Sequence, residues 1–382
     1  MSIKILELLE ESKLRKSRKL FCISNHGIKL DFKTFIYEKE ETKGVALEVL
    51  LFEQKETSKE YIVKRYLHNM HGKEIEAWKR KYEKIISEGY REFALMKLYS
   101  MCPFSVEPKE IAFAYIKSHK FLIIELLMNY GGVSLQEIIF DYEYINIKDA
   151  LKYFRQLVVA LNYLEINKIT HNDIKLDNIL LDLNEDESER RIRLIDFDVG
   201  ENISSASLFL QSGLLTGYTP EYAAPEVAQL IKDGSTEGIN KYFTQIYSLG
   251  IVSLGLFRVL KDTNSLKQLS TFKDEALNNP GKYEKYLDSI IQDFLVEVKT
   301  KDKADYEIVQ KMMKLTRACL SLHQNQRLTA YSLLAIVDPS NFDVESLENI
   351  EYQIESLLIE QRKDFEASPK IGCKKLDTLF LI

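Results

Sequence analysis

The hydrophobic pattern changes character about a third of the way along the chain. From about residue 28 to 66 the texture turns to short runs rich in β-branched and aromatic residues, which predicts strands over 32–37, 45–52 and 60–66. The polar run 54–59 between the last two reads as a hairpin turn. Residues 73–100 form a long charged stretch of helical texture that closes on Phe93, Met96 and Tyr99, and two further strands follow at about 111–117 and 121–126. Gly131 and Gly132 then break the pattern. Beyond them Leu151, Phe154, Leu157, Val158, Leu161 and Leu164 trace one face of a helix, and more helices are expected at 243–260, 282–298, 305–321 and 329–337. A strand-rich first part followed by a helical remainder predicts a two-lobed α+β fold, with the junction near 125–132.

Both ends carry weaker helical spacing. Ile3, Leu6, Leu9 and Leu14 predict a short amphipathic helix inside an N-terminal extension, 1–27. In the tail, 339–382, the positions Val344, Leu347, Ile350, Ile354 and Leu357 predict another amphipathic helix. It either receives a partner or packs on its own domain. The domain between, 28–338, divides into a first lobe to about 125 and a second from about 126.

Composition narrows the functional classes. The chain has 382 residues, 45% of them hydrophobic, enough to bury a core. Its net charge of −6, with no long Lys/Arg block, argues against a nucleic-acid binder. Cys22, Cys102, Cys319 and Cys373 are far apart with no CxxC pair, so they read as buried or free thiols of a reducing compartment. The N-terminus is charged too early for a secretory signal. The longest apolar run, 246–256, is too short to span a bilayer, which needs ~20 residues. A cytoplasmic or nuclear protein is expected.

The candidate chemistry concentrates in residues 171–181, His-Asn-Asp-Ile-Lys-Leu-Asp-Asn-Ile-Leu-Leu. A carboxylate (Asp173), a cation (Lys175) and an amide (Asn178) share one short loop. These are the parts that phosphoryl transfer needs: a proton acceptor, a charge to offset the moving phosphate, and an oxygen ligand for a metal. The loop resembles the catalytic loop of the eukaryotic protein kinases, Ser/Thr type, except that Asn172 replaces the arginine of the His-Arg-Asp motif. Over 28–338 other motifs follow in the family's order. Leu194-Ile-Asp196-Phe-Asp198 resembles the Asp-Phe-Gly motif. Glu60-Tyr-Ile-Val-Lys64 resembles the strand that carries the phosphate-binding lysine, and Glu92 is its expected helix partner, with Glu88 as the alternative. Thr219-Pro-Glu-Tyr-Ala-Ala-Pro-Glu226 resembles the substrate-docking platform.

This resemblance implies a bilobal protein kinase-like fold, with a small antiparallel sheet and one helix in the first lobe and a larger helical second lobe. It implies ATP and Mg²⁺ as cofactors and protein substrates with Ser/Thr acceptors. Asp173, Lys175 and Asn178 would be catalytic, with Asn178 and Asp196 as metal ligands. Gly44, Val49, Lys64, Glu92, Glu125, Leu127, Leu180 and Asp196 would hold the nucleotide, Glu125 and Leu127 as part of the backbone segment that meets adenine. Glu226 would pair with Arg327, and Thr219 would bond to Asp173 and Lys175.

Several positions depart from the family pattern. Only Gly44 survives of the glycine loop, behind the acids Glu38, Glu40 and Glu41. Asp198 replaces a glycine whose backbone freedom an Asp shares only in part. Gln245 replaces an aspartate that holds the catalytic-loop backbone, so that hold loses its charge assistance. No Lys or Arg lies between Arg193 and Lys232 to receive a phosphate on Ser204, Ser205, Ser207, Ser212 or Thr216. Activity independent of activation-segment phosphorylation is therefore expected, with control through a partner or the terminal helices. A pseudokinase-like scaffold remains the alternative to the enzyme, although the base, both lysines and both metal ligands are all present. The platform at 219–226 speaks against a small-molecule kinase.

Overall fold

A computed structural model of the chain describes residues 6–8, 30–41, 45–54, 56–69, 75–116, 121–142, 145–203, 218–233, 239–276, 279–301, 303–337, 353–359 and 361. The chain divides into two compact units, Met1–Gly132 and Val133–Ile382. The division falls at 132/133, at the far end of the expected junction 125–132, and the last strand of the first unit runs to Asn129.

Among its described residues, the first unit is a six-stranded sheet with one long helix. Its strands are β1 (Leu6–Leu8), β2 (Leu30–Glu41), β3 (Val45–Gln54), β4 (Lys59–Asn69), β5 (Pro108–Ile116) and β6 (Phe121–Asn129), in the spatial order β1-β5-β6-β4-β3-β2. Helix α1 (Ile75–Tyr99) occupies the charged stretch. All pairings are antiparallel except β1 with β5, which is parallel and sets Leu6 opposite Ala114. Leu6–Leu8 is thus a strand and not part of the expected helix. The open edge of β5 offers a row of unpaired N–H and C=O groups, and satisfying them outweighs a helical spacing carried by so few apolar positions. The rest of the N-terminal extension lies outside the described residues. Leu50, Phe52, Tyr61, Val63 and Leu127 form a buried cluster on the sheet.

The second unit is mainly helical. Helix α2 (Ile147–Ile166) begins at Asn146, whose side chain accepts from the Asp149 N–H. The apolar face read from its sequence is buried from Phe154 to Leu164. A short strand β7 (Val133–Ser134) joins β9 (Ile179–Leu181) and β10 (Ile192–Leu194) in one small sheet, and β8 (Ile169–Thr170) pairs with β11 (Glu201–Asn202) in another. Helices α3 (Pro225–Asp233), α4 (Lys241–Leu256), α5 (Thr263–Ala276), α6 (Pro280–Lys301), α7 (Lys303–Cys319) and α8 (Ala330–Val337) follow. The hydrophobic pattern did not predict α5: its inward positions include Ser270 and Lys273 beside Leu266 and Leu269, so the apolar stripe is interrupted. The expected tail helix is described over 353–359, and just beyond it the Gln361 amide accepts from the Thr329 N–H at 3.2 Å and donates to the Arg327 carbonyl at 3.0 Å. At that point the tail packs on its own unit. No helix among the described residues is long and apolar enough to cross a membrane.

Helix α4 is buried on almost every side, and its glycines allow that. A Cβ added at Gly250 would lie 2.7 Å from Leu320 Cγ, and one at Gly255 would lie 2.8 Å from Leu176 Cδ1. Both are below van der Waals contact. Gly250→Ala is expected to lower stability by about 1–3 kcal/mol through overpacking. A denaturant midpoint equal to wild type would contradict this.

Candidate active site

In the first unit, successive strand residues point to opposite faces, so Lys64 and Arg65 on β4 separate. Lys64 Nζ lies 2.8 Å from Glu92 Oε1 on α1, and the two side chains are 11% and 3% exposed. The other Glu92 oxygen accepts from the Tyr66 hydroxyl at 3.1 Å, and the Lys64 ammonium sits 5.0 Å from the centre of that ring. Glu92, not Glu88, therefore meets the lysine; Glu88 lies 3.8 Å from Lys84 on the exposed side of α1. Val49 is opposite Lys64 in the β3–β4 register and half-buried.

On the other face, Arg65 binds Glu125 Oε1 through Nε at 2.7 Å and Glu48 Oε2 through Nη1 at 2.9 Å. This bears on the expected adenine contact. Glu125 and Leu127 lie inside β6, between β4 and β5, so their backbone groups face neighbouring strands on both sides, and the Glu125 carboxylate is taken by Arg65. The chain leaves the sheet only after Asn129, so a backbone segment open to a base would begin there and not at Glu125. Gly44 lies outside the described residues.

In the second unit, the loop between β8 and β9 gathers most of the remaining candidates. His171 is fully buried; its backbone N–H donates to Gln245 Oε1 at 2.6 Å, and its Nε2 lies 2.7 Å from the Ile195 carbonyl. The Asp173 N–H donates to His171 Nδ1 at 3.3 Å, so Nδ1 is the acceptor and the ring proton belongs on Nε2. Burial lowers the His171 pKa and keeps the ring neutral. The ring packs on Phe197 at 4.6 Å between centroids.

Both oxygens of Asp173 are engaged. Oδ1 accepts from the Thr219 N–H at 3.1 Å, and Oδ2 accepts from Lys175 Nζ at 2.7 Å and from Asn178 Nδ2 at 3.2 Å. Lys175 also donates to Thr219 Oγ1 at 2.9 Å, which ties the platform segment to the loop. Burial disfavours the Lys175 ammonium, but Asp173, Asp196 and Asp177 outweigh it and raise its pKa above the usual lysine value. Leu180 is half-buried in β9, opposite Arg193.

The Asn178 amide nitrogen is used on Asp173, by the carbonyl at 2.9 Å as well as the carboxylate, which leaves its oxygen facing elsewhere. Its backbone carbonyl accepts from the Ile195 N–H at 3.0 Å and anchors the strand end that carries Asp196. Asp196 adopts φ 72°, in the left-handed region, whereas Asp198 is not among the positive-φ residues. The conformational demand thus falls on Asp196, and Asp198 takes the glycine position without that strain, exposed to solvent. Among the described residues no group of three or more His, Cys, Asp or Glu side chains is arranged to hold a metal alone.

Below the loop Arg327, fully buried, binds both oxygens of Glu226 at 2.5 and 2.7 Å and donates to the carbonyls of Ser321, Phe243 and Leu322. Reading the sequence did not single out Tyr66, Glu201 or Lys241. Lys241 is 1% exposed and its ammonium lies 2.6 Å from Glu201 Oε2, a pair 40 residues apart that no local spacing announces.

Residues 42–336 match the family model described as "Protein kinase domain". Among curated relatives, the chain is 36% identical over 135 residues to the probable serine/threonine-protein kinase MARK-C of Dictyostelium discoideum, covering 35% of this chain and 15% of that one. It is 25% identical over 317 residues to another probable serine/threonine-protein kinase of the same organism, covering 75% of this chain and 35% of that one. It is also 32% identical over 140 residues to a probable serine/threonine-protein kinase KIN1 homolog of Encephalitozoon cuniculi, covering 37% and 22%. The chain therefore spans well under half the length of these relatives. The family model covers most of the chain, and the sheet-plus-helix first unit and helical second unit agree with it: the chain belongs to the protein kinase family.

Proposed function

We propose that this chain is an active serine/threonine protein kinase that transfers the γ-phosphate of ATP to protein hydroxyls with Mg²⁺. The observation that carries this reading is the set of bonds on Asp173. Lys175, Asn178 and the Thr219 N–H fix the carboxylate, so it can orient an acceptor hydroxyl and take its proton. Lys175 then offsets charge on the moving phosphoryl group.

The donor chemistry fits a hard cation. Asn178 and Asp196 offer oxygen ligands, and because no group of three or more His, Cys, Asp or Glu side chains among the described residues could hold a metal alone, a cation there would complete its shell with water and phosphate oxygens, as Mg²⁺ commonly does. When bound, Mg²⁺ neutralises phosphate charge. In the first unit, Lys64 is held by Glu92 as a cation for phosphates.

The test is transfer of radiolabelled γ-phosphate to a generic protein substrate such as casein or myelin basic protein. Transfer is expected with Mg²⁺ and is lost on chelation. Lys64→Met is expected to leave Glu92 buried without its cation and to cut kcat/KM for ATP by about a hundredfold or more. No transfer by wild type, together with a thermal shift on adding ATP, would favour the scaffold instead.

A further inference from the structure

Helix α4 begins with a residue that its own helix disfavours. Lys241 occupies the first helical position, at the positive end of the backbone dipole, and is almost completely buried. A buried ammonium in that place needs an anion, and Glu201 supplies it at 2.6 Å. Glu201 lies on β11, opposite Thr170 on β8, one residue before the catalytic loop begins. Its second oxygen accepts from Asn172 Nδ2 at 3.3 Å, and the same nitrogen donates to the Val199 carbonyl at 2.9 Å.

One turn along α4, on the same face as Lys241, Gln245 accepts from the backbone N–H groups of His171 and Asn172 at 2.6 and 3.5 Å. The two α4 side chains thus reach Asn172 from its backbone and, through Glu201, from its side chain. Asn172 itself sits at φ 66°, a left-handed conformation that asparagine tolerates better than most residues and that sets the direction of the next residue, Asp173. Gln245 and Asn172 are both neutral, so neither offers a charge to form an ion pair with a phosphate. The fixed charges lie instead in the Lys241–Glu201 pair.

We propose that Glu201 is a built-in counter-anion, held by Lys241, that fixes Asn172 and hence Asp173, so that the catalytic loop is set without a phosphate on the activation segment. Glu201 and Lys241 are positioning residues. The proposal rests on the kinase reading for its catalytic consequence and on geometry alone for its structural one.

Two readouts separate these. The double variant E201L/K241M removes both charges together and leaves no buried ion unpaired. It is expected to keep a wild-type-like thermal midpoint, to lose about ten- to a hundredfold in kcat as Asp173 drifts from its place, and to leave KM for ATP unchanged. Glu201→Gln, which can still accept from Asn172, is expected to retain more activity than the double variant. Hydrogen exchange of the amides at 171–173 is expected to be about tenfold faster in E201L/K241M than in wild type. Phosphatase treatment of wild type is expected to leave kcat unchanged.

Wild-type kcat and exchange in the double variant would overturn the proposal, as would loss of wild-type activity on dephosphorylation. If the double variant does not fold, Asn172→Gly decides. It keeps the left-handed backbone and removes only the amide, and a wild-type kcat there would overturn the proposal. If wild type transfers no phosphate, the kinase reading falls while the exchange measurement still decides the network.

Discussion

Asp173→Asn is expected to abolish phosphoryl transfer while leaving the fold and nucleotide binding in place. The amide is isosteric, so Oδ1 can still accept from the Thr219 N–H. It has no charge and no basic lone pair of carboxylate strength, so it cannot take the proton of an attacking hydroxyl. Loss of a positioned base costs about 10²–10⁴ in rate. A second effect adds to this. Asp173 Oδ2 now receives Lys175 Nζ at 2.7 Å and Asn178 Nδ2 at 3.2 Å, and an amide NH₂ turned toward those donors would repel both. The Lys175 ammonium would lose the strongest of the attractions that hold its pKa up. Steady-state kinetics should show kcat falling with KM for ATP within about twofold, since removing a group that acts on the transition state leaves ground-state binding intact. A variant with kcat within tenfold of wild type would exclude Asp173 as the base.

The second large effect is on stability. Arg327→Met is expected to destabilise the second unit by about 3–5 kcal/mol, the cost of leaving a buried partner charge uncompensated. Glu226 would lose both of its bidentate bonds, and the carbonyls of Ser321, Phe243 and Leu322 would each lose a donor, that of Phe243 in a buried place. The guanidinium also packs on the Tyr247 ring at 5.0 Å, so contact is lost as well as charge. Against a typical stability of about 5–15 kcal/mol this is a large share. The thermal midpoint should fall steeply. Arg327→Lys should rescue little, because a point charge cannot serve acceptors arranged for a planar fork. A midpoint within a degree or two of wild type would refute the role of the pair. Gln361, which donates to the Arg327 carbonyl, ties part of the tail to the same node.

Much of this architecture was legible as pattern. Short runs rich in β-branched and aromatic residues marked β3 and β4, and helical spacing marked α2 because one face of that helix is buried and the other is not. Element ends were less legible. β6 runs to Asn129 and not 126, so Glu125 and Leu127 are ladder residues and the expected adenine segment moves along the chain. An apolar run cannot show where pairing stops, because that depends on the neighbouring strands. Helix α5 went unseen because the buried Lys273 and Ser270 interrupt its stripe. They are tolerated through bonds to the Pro220 carbonyl, a partner some 50 residues away.

The same division holds at the site. Residue order alone shows which groups are present and close along the chain: Asp173, Lys175 and Asn178 are chemically complete on one loop, and Lys64 has two candidate carboxylates one helical turn apart. Folding is what chooses Glu92 over Glu88, places the backbone strain on Asp196 rather than Asp198, and sets Lys241 against Glu201. The two pairings depend on which charges share a buried space, and the strain depends on the path of the backbone at 196–198. Burial makes an unpaired charge costly, so pairing is decided by three-dimensional packing, to which spacing along the chain is blind.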